Sequence, residues 1–242
     1  MNRRTVLVTG ASSGIGRAIS MKFASEGWNV VCHYCSSTKK AEEIYNEIRK
    51  CDVDVKLIKA DFSSPKQLKG FVDKAAKMEI DCIINNAGTY IEKKDFVSLD
   101  IEILINVFTV NTFSAILLAG GIFNQMKEKG FGRIVNISSI AAKYGGSDNS
   151  MHYSCSKLAL EGLAKTLSKS GAAYNVFINT IRPGVIDTDF HRKFPKDMDR
   201  RVGMIPMKKM GKPEDVAIIA YYLGSDMNNF MTGETVTVSG GE

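Results

Sequence analysis

A doubly wound α/β fold, a mostly parallel sheet with helices on both faces, is what this sequence predicts, and three observations predict it. Short apolar segments rich in β-branched residues alternate with helical patterns along the whole 242 residues. Those segments lack the in–out alternation of a half-exposed strand, as strands buried on both faces do. The first of them runs straight into a glycine-rich turn and a helix, which puts ligand chemistry at the carboxyl ends of the strands.

The elements follow in order. Residues 5–9 are a β-branched run, followed by the glycine turn and a helical pattern over 15–26. A strand over 29–34 precedes a helix over 38–50, and a third strand over 53–59 leads to a helix that Pro65 opens and that runs to about residue 77. Residues 81–85 form a fourth strand, 100–129 one long helix and 133–137 a fifth strand. A long helix over 153–173 leads to a sixth strand over 176–181, closed by Arg182-Pro183-Gly184. Lys212-Pro213-Glu214 starts a helix to about residue 223, and 234–238 is the last strand. Residues 187–210 break the alternation. They are read as a substrate-side loop or lid on an otherwise single domain spanning 1–242, because a long insertion after a strand's carboxyl end borders the ligand.

The first turn reads Thr9-Gly10-Ala11-Ser12-Ser13-Gly14-Ile15-Gly16, with the spacing G-x-x-x-G-x-G in place of G-x-G-x-x-G. The physical requirements are still met. Gly10 permits a tight turn, Gly14 lets backbone approach a pyrophosphate, and Gly16 lets the new helix pack close. Ser12 and Ser13 add hydroxyls, and free N–H groups of the helix N-terminus face the anion.

Composition removes other classes. Lys and Arg number 32 against 26 Asp and Glu, a formal charge of +6, but the basic residues are scattered pairs such as Lys39-Lys40 and Arg200-Arg201, without the clustered charge and interleaved aromatics of a nucleic-acid groove. No window approaches ~18 consecutive apolar residues, so no membrane span is expected. The apolar run after Arg3-Arg4 is too short for a signal peptide, which points to the cytoplasm. Five cysteines, an odd number without framework spacing, fit free thiols. Cys32-His33-Tyr34-Cys35 is a lone C-x-x-C whose cysteines face opposite sides of a strand, and His33, His152 and His191 lack ligand spacing, so no metal is expected.

Tyr153 and Lys157 stand at i and i+4, on one helix face a turn apart. A phenol of reference pKa ~10 becomes useful for proton transfer when a cation within ~4–6 Å lowers it by ~1–3 units.

Taken together, several motifs in order resemble the short-chain dehydrogenase/reductase superfamily over nearly the whole chain. Thr9–Gly16 is similar to its cofactor turn, and Asn85-Asn86-Ala87-Gly88 to its NNAG segment. Asn111, Ser139, Tyr153 and Lys157 fall where the family places its catalytic tetrad, Pro183-Gly184 with Thr188 resembles its PG motif, and Thr232-Gly233-Glu234 through Gly241 resembles its closing strand. The resemblance implies a Rossmann fold and hydride transfer between a nicotinamide and a carbonyl carbon. Tyr153 would exchange the proton with the carbonyl oxygen, and Ser139 would polarise that oxygen, Ser138 being the adjacent alternative. Lys157 would also bond the nicotinamide ribose, and Asn111 would hold a water beside it. The cofactor set implied is Gly10, Ser12, Ser13, Gly14, Ile15, Gly16, Tyr34, Asp61, Phe62, Asn86, Ala87, Gly88, Tyr153, Lys157, Pro183, Gly184, Ile186 and Thr188. Asp61 has a second reading as a helix cap before Pro65. Ser139 lies 14 residues before Tyr153, about one more than the family commonly shows.

Among its members the chain most resembles 3-oxoacyl-[acyl-carrier-protein] reductases. It lacks the Arg that many of them carry before the sixth strand; this region reads Ala172-Ala173-Tyr174-Asn175. A sugar or secondary-alcohol dehydrogenase and a non-catalytic dinucleotide-binding protein are the alternatives. NADP(H) is the expected cofactor, because Tyr34-Cys35-Ser36-Ser37 holds no carboxylate to repel a 2′-phosphate, and Lys39, Arg17 and a helix N-terminus could receive it. The expected partners are a small-molecule or acyl-thioester carbonyl substrate, an acyl carrier protein, and further copies of the chain in a homotetramer. The oligomer is expected because apolar residues surround the helix over 100–129 on nearly every side.

Overall fold

The structure is a computed structural model, and it describes residues 3–93, 95–190 and 197–242. Its strands are β1 (Thr5–Val8), β2 (Asn29–Tyr34), β3 (Val55–Lys59), β4 (Cys82–Asn85), β5 (Gly132–Ile137), β6 (Val176–Pro183) and β7 (Thr235–Val238). They form one parallel sheet in the order β3-β2-β1-β4-β5-β6-β7. The doubly wound fold is therefore the one the apolar, non-alternating strands implied: every residue of β4 and β5 is buried. Chain order reverses between β1 and β4, so a crevice opens where their carboxyl ends part.

Helices α1 (Gly14–Ser25), α2 (Thr38–Ile48), α3 (Pro65–Ala75), α4 (Ile101–Phe108), α5 (Ser114–Lys129), α6 (Ala141–Tyr144), α7 (Met151–Gly171), α8 (Met198–Met204) and α9 (Pro213–Gly224) complete the order. Two apolar cores lie on opposite faces of the sheet. One joins Ile19 and Phe23 of α1, Ile44 and Ile48 of α2 and Val216 and Leu223 of α9 to Val6, Val8 and Ile84. The other joins Leu68 and Phe71 of α3, Leu118, Ile122 and Met126 of α5 and Ala164 of α7 to Leu7, Ile83 and Ile134.

Three differences from the sequence reading matter. The long helix over 100–129 contains a π-helical turn, Thr109–Phe113; apolar periodicity locates a helix but is blind to one extra residue in a turn. The connection between the fifth strand and the helix over 153–173, to which the sequence reading assigned no element, carries α6 and a further 3₁₀ turn, Asp148–Ser150. Within 187–210 the structure places helix α8, with Asp197 capping it at Arg200 N–H; residues 191–196, including His191, lie outside the described residues. By length and composition the helical stretch Ile101–Lys129 would suffice to cross a membrane. One side of it is built into the core through Val107, Leu118, Ile122 and Met126, all fully or almost fully buried.

Candidate active site

A cavity of about 1400 Å³ lies along the carboxyl ends of the strands. Its floor at one end is the glycine turn. A Cβ on Gly16 would lie 2.2 Å from the Gly10 carbonyl oxygen, so only glycine lets α1 start this close to the turn. Gly14 has φ +54°, and a Cβ there would lie 3.2 Å from a Thr188 methyl, which shows the segment after β6 lying over the turn. The Ser13 hydroxyl bonds no amide of α1, and no acid stands in that helix's first turn. These uncapped N–H groups beside a bare glycine backbone fit a pyrophosphate.

Asn86 anchors the opposite wall. Its side-chain amide donates to the carbonyls of Thr9 and Gly10, at 2.9 and 3.1 Å, locking the end of β4 to the turn after β1. Asp61 and Phe62 line the cavity beyond β3. Ser64, not Asp61, caps α3; Asp61 instead accepts from the Ser63 N–H and hydroxyl, which hold its carboxyl below the usual range. Ser12, Ser13, Ile15, Ala87, Gly88, Pro183, Gly184, Ile186 and Thr188 also line the cavity. Gly16 packs behind the turn, and Tyr34 stands outside the cavity wall, where Cys35, Ser36 and Ser37 take its place.

Sequence reasoning passed over His33. It is 2% exposed and joins three walls. Its Nδ1 accepts from Gly10 N–H at 3.1 Å, and its Nε2–H donates to the Ala60 carbonyl at 2.9 Å. Its ring stacks on Phe62 at 4.0 Å. The signal was a histidine near the carboxyl end of a buried strand. Also unforeseen were the ion pair Lys40–Asp189, 2.5 Å, which ties α2 to the segment after β6, and the Arg201–Glu242 pair, 2.5 Å, on the cavity wall.

The other end gathers Ser139, Tyr153 and Lys157 on the cavity wall. Tyr153 is partly exposed and Lys157 almost fully buried. The Lys157 ammonium donates to the Ile137 carbonyl at 2.8 Å and lies 6.0 Å from the centre of the Tyr153 ring. Burial pushes Lys157 down to about 8. Burial pushes the Tyr153 phenol up, with the Ser139 hydroxyl pulling the other way. The Lys157 ammonium is turned to the Ile137 main-chain carbonyl, so the Ser139 hydroxyl is the group that draws the phenol down in this arrangement. Asn111 sits in the π-helical turn, off the cavity wall and 1% exposed. Its Oδ1 accepts from Thr89 N–H at 2.7 Å, and its amide donates to the Thr89 carbonyl and the Ser156 hydroxyl, both at 2.9 Å. Both amide hydrogens are engaged by protein, so the side chain braces α7 against the connection after β4. His152 is buried, with Nε2 on the Ile91 carbonyl, a structural role. The described cysteines are free, and no metal-ligating cluster occurs among the described residues.

A family model described as enoyl-(acyl carrier protein) reductase matches residues 10–242. The chain is a short-chain dehydrogenase/reductase. Like its relatives it is an NAD(P)-dependent oxidoreductase acting on alcohol or ketone groups. It is 33% identical to an acetoacetyl-CoA reductase of Rhizobium meliloti, over 99% of this chain and 98% of that protein. It is 31% identical to an L-rhamnose 1-dehydrogenase (NADP(+)) of Thermoplasma acidophilum, over 98% and 95%. A crystal structure of a 3-oxoacyl (acyl-carrier-protein) reductase from Agrobacterium tumefaciens C58 with NADP bound superposes with a TM-score of 0.90 at 28% identity, covering 99% of this chain and 94% of that one.

Burial lowers His33 to about 4, so at neutral pH it is an uncharged ring with a fixed tautomer. The unfolded chain takes up this proton near pH 6.5 and the folded chain only near 4, so between those values the unfolded state holds more protons and stability falls as pH drops. The loss is on the order of 3 kcal/mol. Urea midpoints at pH 7 and pH 4.5 are expected to show this slope in the parent and a reduced slope in His33→Phe.

Proposed function

We propose that this short-chain dehydrogenase/reductase reduces a ketone carbonyl with NADPH, and that a 3-oxoacyl thioester is its substrate class. The observation that carries the reading is Tyr153, Ser139 and Lys157 converging on one end of a cavity whose other end is an uncapped glycine turn. A bound nicotinamide supplies the hydride. Tyr153 supplies the proton at the carbonyl oxygen, and the Ser139 hydroxyl donates to the same oxygen, steadying charge as it develops. Lys157 would hold the ribose of a bound cofactor, and its cation, 6.0 Å from the Tyr153 ring centre, favours the phenolate left behind. Full-length likeness to an acetoacetyl-CoA reductase supports the thioester, carried on coenzyme A or an acyl carrier protein.

NADPH is preferred because helix α2 offers a second uncapped N-terminus. Ser37 bonds none of its amides, its first turn holds no acid, and Ser36 and Ser37 line the cavity. Arg17, which the sequence offered as a phosphate ligand, is paired with Glu47; Lys39 and the serines remain. The NADP-bound neighbour supports the same choice.

A second reading, a sugar dehydrogenase, has its own observation. Tyr90 and Phe190 stand 5.9 and 6.2 Å from the Tyr153 ring, and the Arg201–Glu242 pair offers donors and acceptors on the cavity wall. Aromatic faces with paired charged groups suit a polyhydroxylated ring. Turnover of acetoacetyl-CoA, L-rhamnose and cyclohexanol with NADP(H) and NAD(H) separates the readings. The expected result is fastest reduction of acetoacetyl-CoA, with kcat/KM at least ~10-fold higher for NADPH than NADH; preferential oxidation of the sugar would transfer the assignment to the second reading.

On this mechanism Tyr153→Phe keeps the ring's packing and loses the proton. Turnover is expected to fall by at least ~10²-fold, with NADPH affinity within a few-fold of the parent. Lys157→Ala removes a ribose contact as well, so cofactor binding and turnover fall together. Steady-state kinetics with NADPH fluorescence titration reads both.

We also propose a homotetramer in the cytoplasm. Ile101, Ile105, Phe113, Ile116 and Leu117 are all exposed along α4, the π turn and α5, and Ile218, Tyr222 and Phe230 form a separate exposed apolar group around and beyond α9. Apolar area of this extent calls for a partner, and two separate patches suit two kinds of subunit contact. Sedimentation is expected to give four times the 26.6 kDa chain mass, and Ile105→Asp with Leu117→Asp to give smaller species.

A further inference from the structure

One buried carboxylate at the middle of α7 takes no part in the chemistry above, yet it touches each element that carries it. Tyr153, Lys157 and Glu161 stand at i, i+4 and i+8, on one face of α7. Glu161 is 2% exposed. Its Oε1 accepts from the Ser138 hydroxyl at 2.7 Å and from Arg182 Nε at 2.7 Å, and its Oε2 accepts from an Arg182 Nη at 2.5 Å. Ser138 immediately precedes Ser139, and its hydroxyl also lies 3.2 Å from the Lys157 carbonyl. Arg182 immediately precedes Pro183 and Gly184 on the cofactor wall.

We propose that Glu161 is a positioning residue for this oxidoreductase: through Ser138 and Arg182 it fixes α7, the end of β5 and the end of β6 to one point, and so sets the spacing of Tyr153 and Lys157 from Ser139. The physical case is that of a desolvated carboxylate. Such a group tolerates burial only when its lone pairs are filled with good geometry, and here they are filled by donors from the two strands that border the reacting end. A bidentate guanidinium holds both distance and plane. The carboxylate therefore fixes position in a way an apolar contact of the same volume would not. Apolar packing would hold α7 on the sheet but would leave it free to shift by fractions of an ångström along its axis, a scale on which proton transfer between aligned oxygens is sensitive. The proposal rests on the assignment of Tyr153, Ser139 and Lys157 to the reacting end.

Two variants test it. Glu161→Gln keeps volume and one acceptor. Glu161→Leu combined with Arg182→Met replaces the pair by apolar groups and leaves no buried charge, so it folds even if the single variant does not. Both are studied with NADPH bound, measuring melting temperature, NADPH affinity, amide exchange of residues 138–142, and turnover of whichever of acetoacetyl-CoA, L-rhamnose or cyclohexanol the parent converts fastest, with protiated and deuterated cofactor. The expected result is NADPH affinity within ~3-fold of the parent, KM little changed, and kcat lower by ~10-fold or more with a larger isotope effect. Exchange at 138–142 should be faster by a similar factor. A folded variant with parental kcat and parental exchange at 138–142 would overturn the proposal, as would a fall in melting temperature with kcat unchanged. If the parent converts none of the three compounds, the substrate reading fails, and the exchange rates alone decide on Glu161.

Discussion

The reacting end of the cavity is organised around the burial of one ammonium. Lys157 is 3% exposed and, among the described residues, has no carboxylate partner. A cation taken out of water requires oxygen acceptors in place of the lost hydration, and here the Ile137 carbonyl at the end of β5 supplies one. Much of the surrounding structure follows. Gly88 leaves room, since a Cβ there would lie 3.3 Å from the ammonium and 3.5 Å from Asn111 Oδ1. Asn111 ties the connection after β4 to α7 through Thr89 and Ser156, and the helix that holds the ammonium also holds the phenol.

At the other end the dominant constraint is backbone, not charge. Two helices, α1 and α2, begin beside the cavity with no side chain closing their first N–H groups and no acid in their first turns. Each offers partial positive charge to an anion without any cation having to be desolvated. This accounts for a cofactor end with few basic side chains in a chain whose net charge is +6. Of the basic residues around that end, Arg17 is paired with Glu47 and Lys40 with Asp189, which leaves Lys39.

Much of this was legible because sequence period and chain order carry it. Buried parallel strands wrote themselves as continuous apolar runs, and the glycine spacing marked the first turn. The positions of Tyr153, Lys157 and Ser139 could be placed on one wall from spacing and resemblance. What was not legible is tertiary. Nothing local distinguishes His33 from a histidine packed in any strand; its meaning comes from Gly10, Ala60 and Phe62, which meet it only after folding. The Arg17–Glu47 pair joins residues thirty apart, which no local pattern could show. Nothing local showed that the Asn111 side chain braces α7 either, because its three contacts are all to other segments.

The π-helical turn at Thr109–Phe113 sets the phase between two stretches that otherwise form one rod. One residue more than an α-helical turn holds rotates everything beyond it by about 100°. Upstream, α4 presents Val107 inward and Ile101 and Ile105 outward; downstream, α5 presents Leu118 and Ile122 inward and Ile116 and Leu117 outward. Removing a single residue from the turn would keep the rod helical while turning α5 about its axis, exchanging part of the core-facing stripe for the outward one. The chain's length between Phe108 and Ser114 is therefore as strict a specification as the identity of any side chain in it, and homologous lengths there should tolerate substitution far better than insertion or deletion.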